Sequence, residues 1–136
     1  MSAERAREFL RANPRAILAT IRSDGLPQMS PVLCAVDHDG RILISTRETA
    51  VKTRNLRRDP RAFLCGITER FFGDWVQAEG TAEVISLPGA MDLLVGYYRL
   101  VSGEHPDWDG YRAAMERERR VIVRVTITRA GPTISG

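Results

Sequence analysis

Two Asp-Gly turns constrain this chain more than any other feature. Asp24-Gly25 and Asp39-Gly40 each stand between short apolar runs that are partly β-branched. Asp-Gly supplies the positive backbone angles of a tight hairpin, so the flanking runs fold back on one another antiparallel. Residues 16–21, 26–36 and 41–45 therefore read as the first three strands. Pro27 and Pro31 mark the second as an edge strand or a bulge, because proline cannot donate to a ladder. Residues 62–67, 74–85 and 121–127 add three more strands, with Gly80 at a bulge or bend in the long one.

Helices fill the gaps. Ser2 caps a first helix anchored by Phe9 and Leu10 and ended by Asn13-Pro14. Residues 49–58 predict a second, capped by Thr46 or Thr49 and stopped at Asp59-Pro60. Pro88 opens a third through Leu100, with Met91, Leu94, Val95 and Tyr98 on one face. A fourth lies around residues 108–118. About six strands in antiparallel hairpins, with helices inserted late, indicate an all-β barrel or an α+β fold. A Rossmann domain is disfavoured, because there is no Gly-x-Gly-x-x-Gly and hairpins stand where βαβ crossovers would be.

At 136 residues the chain is expected to form one domain, residues 1–136. Its 43% hydrophobic and 27% charged content is that of an ordinary globular protein. No run approaches the about 20 apolar residues that cross a bilayer, and no apolar segment of a signal peptide follows Met1. The expectation is a cytoplasmic protein with no membrane partner. Cys34 and Cys65 lack any Cys-x-x-Cys or Cys/His spacing, so two reduced thiols are expected rather than zinc.

Charge is distributed unevenly. Lys52 is the only lysine, and it lies in the most basic stretch of the chain, residues 46–61. That stretch has six cationic and two acidic residues, against fourteen and fifteen in the rest. A strand ends at Ser45 and Thr46, the chain turns, and a helix begins near Thr49 with Lys52 in its first turn. Free amides at a helix start, two hydroxyls and one compact cation would suit a phosphate. A solvated basic helix with ordinary capping accounts for the same residues. The stretch lacks interleaved aromatics, which argues against single-stranded nucleic acid as the partner.

Four segments then resemble a known family. They are residues 17–28 (Ile-Leu-Ala-Thr-Ile-Arg-Ser-Asp-Gly-Leu-Pro-Gln), 42–46 (Ile-Leu-Ile-Ser-Thr), 52–61 (Lys-Thr-Arg-Asn-Leu-Arg-Arg-Asp-Pro-Arg) and 78–82 (Ala-Glu-Gly-Thr-Ala). Together they resemble the pyridoxamine 5′-phosphate oxidase-like split β-barrel proteins. Residues 103–109 and 111–115 are similar to the branch of flavin/deazaflavin oxidoreductases that use coenzyme F420. The resemblance implies a mainly β (α+β) fold: a homodimer of six-stranded antiparallel Greek-key barrels with peripheral helices and two cofactor sites at the interface. It implies that Lys52 holds the cofactor phosphate beside Ala50 and Val51, and that Ser45 and Thr46 lie along the cofactor. It further implies that Gln28 and Ser30 border the ring system and that Trp75 arrives from the partner subunit.

Three departures qualify it. Residues 28–33 lack the Arg-x-x-x-x-Lys pattern of FMN-binding oxidases, which favours F420 over FMN. Ala50 and Val51 occupy the place of a second phosphate cation, so Arg47 or Arg54 is expected to substitute. The chain ends at Thr133–Gly136, where many relatives continue into an aromatic segment, so a more open acceptor pocket is expected. The resulting expectation is an F420-dependent reductase of a small unsaturated or quinone-like acceptor. The alternatives are an FMN oxidase or flavin reductase of the same fold, and a non-catalytic F420 carrier. Arg54, Arg57, Arg58 and Arg61 would attract the cofactor's anionic tail. His105, His38, Glu104, Asp107 and Asp109 suit loop and cap roles, with His105 also open as a general acid or ligand. Trp75 and Trp108 suit core or interface positions as well as a cofactor contact.

Overall fold

The computed structural model describes residues 1–132. The expectation attached to Thr133–Gly136 lies outside the described residues. In chain order the elements are α1 (Ala3–Ala12), β1 (Arg15–Ile21), β2 (Pro27–Leu33), β3 (Ala35–Val36), β4 (Ile42–Arg47) and α2 (Val51–Arg58). They continue with β5 (Arg61–Ile67), β6 (Trp75–Ile85), α3 (Met91–Ser102), α4 (Trp108–Arg117) and β7 (Arg120–Gly131). All pairings are antiparallel, and the sheet runs β2-β1-β5-β6-β7-β4-β3.

The two edges of this curled sheet, β2 and β3, are consecutive in the chain. The sequence reads residues 26–36 as one strand, and the structure breaks it at Cys34. The Cys34 amide makes the last bond in the β1–β2 register, to the Pro14 carbonyl at 2.7 Å, and the chain turns away after it. Before the break β2 pairs with β1; after it, β3 pairs with β4 for two residues only. One bent segment thus carries the chain from one edge of the sheet to the other. The barrel is nearly closed, with a split where β2 has left β4.

Alternation along the strands fills the inside. Leu18, Ile42, Ile44, Leu64, Val76, Val123 and Val125 are buried in one cluster, which α1 plugs with Leu10 and α2 with Leu56. A second cluster lies outside the barrel wall, where Leu43 and Ile122 pack under Leu94 of α3 and Tyr111 of α4. Gly80 sits at the bulge expected of it. Glu79 pairs with Arg129 and Gly80 with Ile127, so Thr128 of β7 is the extra residue. A β-carbon on Gly80 would lie 2.3 Å from the Thr126 carbonyl oxygen, so only glycine fits there.

Ser2 caps α1 by accepting the Arg5 amide, and Asp107 caps α4 by accepting the Gly110 amide. The second helix departs from expectation. It starts at Val51, its N-cap is Ala50, and no side chain caps it. The Thr46 hydroxyl is unsuited because its residue still belongs to β4 and is buried. No described helix is long and apolar enough to cross a membrane.

Candidate functional site

The split between β2 and β4 gathers polar side chains from β1, β2 and α2. β2 presents Gln28 and Ser30 on the same face as the buried β1 residues Leu18 and Thr20, their cross-strand partners. From the other side α2 brings Lys52, whose Nζ donates to the Ser30 hydroxyl at 3.0 Å. That neutral hydroxyl is the only hydrogen-bond partner of the ammonium among the described residues. No side chain caps α2, and of its first-turn amides those of Thr53 and Arg54 go to the Ala50 carbonyl, which leaves those of Val51 and Lys52 without a backbone partner among the described residues. A partly buried cation beside an uncapped helix start has the chemistry that an anion would need.

The basic motif explains how α2 is held there. Asn55 is buried, donates to Thr20 Oγ1 at 3.0 Å and accepts from Arg58 at 3.1 Å. Arg58 also donates to the Ile21 carbonyl at 2.8 Å, and Leu56 enters the barrel core. Thr53, fully buried, donates to the Arg47 carbonyl at 2.6 Å. The helix is thus pinned to β1 and β4 by its own buried polar side chains, which places Lys52 over the split.

The electrostatics at Lys52 favour a negatively charged neighbour. Burial lowers the Lys52 pKa from its ordinary value, and the nearby Arg120 guanidinium lowers it further. Arg120 sits at the start of β7 opposite Arg47, with its side chain 26% exposed. Its Nε and Nη2 both donate to Glu118 Oε1, at 3.2 and 2.9 Å.

The structure brings some expected residues together and separates others. Lys52, Ser30, Ala50 and Val51 surround the start of α2, and Gln28 lies along the split within 3.5 Å of Thr20 Oγ1. Ser45 and Thr46 part company, because neighbours on a strand face opposite ways. Thr46 is buried toward the core; Ser45 faces α3 and α4. Arg47 is exposed and paired with Glu118, and Arg54 is exposed with its guanidinium donating to the Thr49 carbonyl. Arg57 and Arg61 are engaged by Glu48 and Asp59, which leaves Arg54 and Arg58 without a carboxylate among the described residues. Trp75 begins β6 opposite Ile67, at the far end of the sheet from Thr20 and Gln28. Ser30, which Lys52 bonds, lies roughly 10 Å along the strands from Trp75's level and three strands, roughly 14 Å, across the sheet, so one protomer does not bring Trp75 to Lys52. The sequence does not single out Arg120, Asn55 or Thr20. Only the Asn in the motif carried a signal, since a buried amide needs a partner.

A cleft of about 460 Å³ adjoins the split, walled by α3 and α4 and floored by Ser45 and Arg120. Tyr97 stands between the two spaces, donating from its phenol to the Leu33 carbonyl at 3.0 Å. Its pKa is pushed up to about 12, chiefly by burial, so it stays a neutral donor.

A family model described as pyridoxamine 5′-phosphate oxidase matches residues 2–133. The chain belongs to this family. Among solved structures, a conserved hypothetical protein from Mycobacterium tuberculosis is similar at 28% identity with a TM-score of 0.76, covering 100% of this chain and 92% of that one. An F420 reductase is similar in fold at 22% identity and a TM-score of 0.70, over 91% of this chain and 94% of that one. A heme binding protein from Mycobacterium smegmatis shares the fold at 21% identity and a TM-score of 0.69, over 94% of this chain but 52% of that one. Family membership agrees with the curled seven-stranded sheet and its four helices, and makes the chain a member of an oxidoreductase family. The family's fold places no cation on β2 here: Gln28 and Ser30 are neutral.

Proposed function

We propose that this chain is an oxidoreductase that binds coenzyme F420 at the interface of a homodimer and uses it to reduce a small unsaturated or quinone-like acceptor. The observation that carries this reading is Lys52. It is a half-buried ammonium at the uncapped start of α2, with only the Ser30 hydroxyl as partner among the described residues. Lys52, the first amides of α2 and Ser30 would hold the cofactor phosphate; Gln28 would border the ring. When bound, the reduced deazaflavin supplies a hydride, and the protein's part is placement and exclusion of water. Arg54 and Arg58 would draw the anionic tail of the cofactor, in preference to nucleic acid.

The dimer is supported by the outside of the sheet. Ile21 with Pro27, Ala19 with Met29 and Phe63, and Ile17 with Pro31 and Cys65 form adjacent cross-strand rows on one outer face. Met29 is 64% exposed there, and contiguous apolar surface of this kind marks an interaction site. A second copy on that face is what would bring Trp75 to the other protomer's split. A cytoplasmic setting suits the free thiols of Cys34 and Cys65.

FMN has the same phosphate, but the neutral Gln28 and Ser30 on β2 favour the deazaflavin. The test is parallel titration of purified protein with F420 and FMN, read by tryptophan fluorescence. Saturable F420 binding with hydride transfer to a panel of quinones and enones is expected. FMN binding alone makes the protein a flavin enzyme, and F420 binding with no acceptor reduced makes it a carrier. No binding of either defeats the proposal.

A further inference from the structure

We propose that the cleft between α3, α4 and the outer face of β4 is a ligand site for a flat, largely apolar molecule bearing one carboxylate-like group. On the oxidoreductase reading, on which this clause alone rests, that molecule is the acceptor. A volume of about 460 Å³ suits a ring system of one or two fused rings, within the roughly 300–1,000 Å³ usual for small-molecule sites. Its walls are aromatic and soft. Tyr98 and Tyr111 pack edge to face at 5.1 Å, His105 lies 4.9 Å from Tyr98, and Met115 completes the lining. Rings that hold one another this way present a rigid surface to a flat ligand.

The polar groups in the cleft are few and convergent. Arg120 is held by Glu118 through Nε and Nη2, which fixes the plane of its guanidinium and leaves Nη1 to donate. Such a planar fork suits a carboxylate. Asp107 donates its backbone amide to His105 Nδ1 at 2.9 Å, so the neutral ring carries its hydrogen on Nε2. An Nε2–H donor suits a carbonyl or carboxylate oxygen. Ser45 adds a hydroxyl from the floor. The cleft also adjoins the anion site: β4, which supplies Ser45, borders the split, and the charge of Arg120 is felt at Lys52.

The experiment uses naphthalene-2-carboxylate as the probe and its neutral carboxamide as the control, followed by NMR of the full-length protein. Saturable shifts at the Met115 methyl and the Gly110 amide are expected for both. Arg120→Gln should weaken the carboxylate roughly tenfold and leave the carboxamide unchanged. Ala114→Leu should fill the cleft and weaken both, with circular dichroism showing an intact fold. Absence of saturable shifts, shifts confined to the sheet face around Met29, or equal loss of both probes in Arg120→Gln would overturn the site. F420 added to the probe complex separates the two readings. An interligand nuclear Overhauser effect to the deazaflavin ring supports the acceptor assignment, and its absence with F420 bound overturns that assignment. Failure of both F420 and FMN to bind, with the probe still in the cleft, defeats the oxidoreductase reading and keeps the site.

Discussion

Lys52 holds its charge in surroundings that oppose it, first through desolvation and then through Arg120. A phosphate in the split would relieve both. Lys52→Ala should therefore weaken F420 binding by about 1.5–3 kcal/mol, the scale of a charge-assisted hydrogen bond, with an unchanged circular dichroism spectrum. Fluorescence titration measures it, and unchanged affinity returns Lys52 to a solvated face. The pH dependence has a definite sign. The anion binds the protonated lysine, so affinity should fall as pH rises through the depressed pKa, before the ordinary 10.5 is reached. In the same window the unfolded chain binds the proton more tightly, so the cofactor-free protein should gain stability with rising pH. Lys52→Arg should hold its affinity through that window, because guanidinium stays charged. Lys52 was legible because it is the only lysine in a basic stretch. Arg120 was not, because its nearness to Lys52 exists only once β7 has paired with β4.

α2 is an eight-residue helix with no cap and four cations, so little of its stability is intrinsic. It is held by Leu56 and by the buried Asn55–Thr20 bond. Asn55→Ala strands the Thr20 hydroxyl and removes the acceptor of Arg58; it should cost about 1–3 kcal/mol in urea denaturation. It should also weaken cofactor binding, because α2 is what aims Lys52. The β6–β7 bulge makes a second prediction. Gly80→Ala forces a β-carbon against the Thr126 carbonyl at 2.3 Å and should cost about 1–3 kcal/mol, read as a lower thermal midpoint. Most elements were legible here, since hairpin turns, Asp107 and Ser2 act through neighbours in sequence. The start of α2 was not, because Thr46 stays in its strand through pairing with Val121.

For the whole molecule, the decisive surface is the outer face of β2, β1 and β5. Cross-strand rows of Ile, Met, Pro and Phe side chains stand where an isolated barrel would carry polar ones. Met29→Glu places a charge at the 64% exposed centre of that face. If the proposed dimer forms on that face, Met29→Glu should leave a monomer in sedimentation velocity and weaken F420 binding although Met29 lies outside the split. A variant that stays dimeric, or a monomer with full affinity, would count against an interface site.

By itself the sequence determined antiparallel hairpins with late helices, an all-β barrel or an α+β fold, because Asp-Gly turns and strand alternation are local and set pairing between neighbours. It also determined which stretch carries the cation, because composition is visible without a fold. Only the tertiary structure decided that β2 and β3 close opposite edges through Cys34, that Ser45 and Thr46 face different spaces, and that Arg120 stands beside Lys52. Those are contacts between residues far apart in the chain. They follow from how a twisted sheet closes on itself, which no window of the sequence contains.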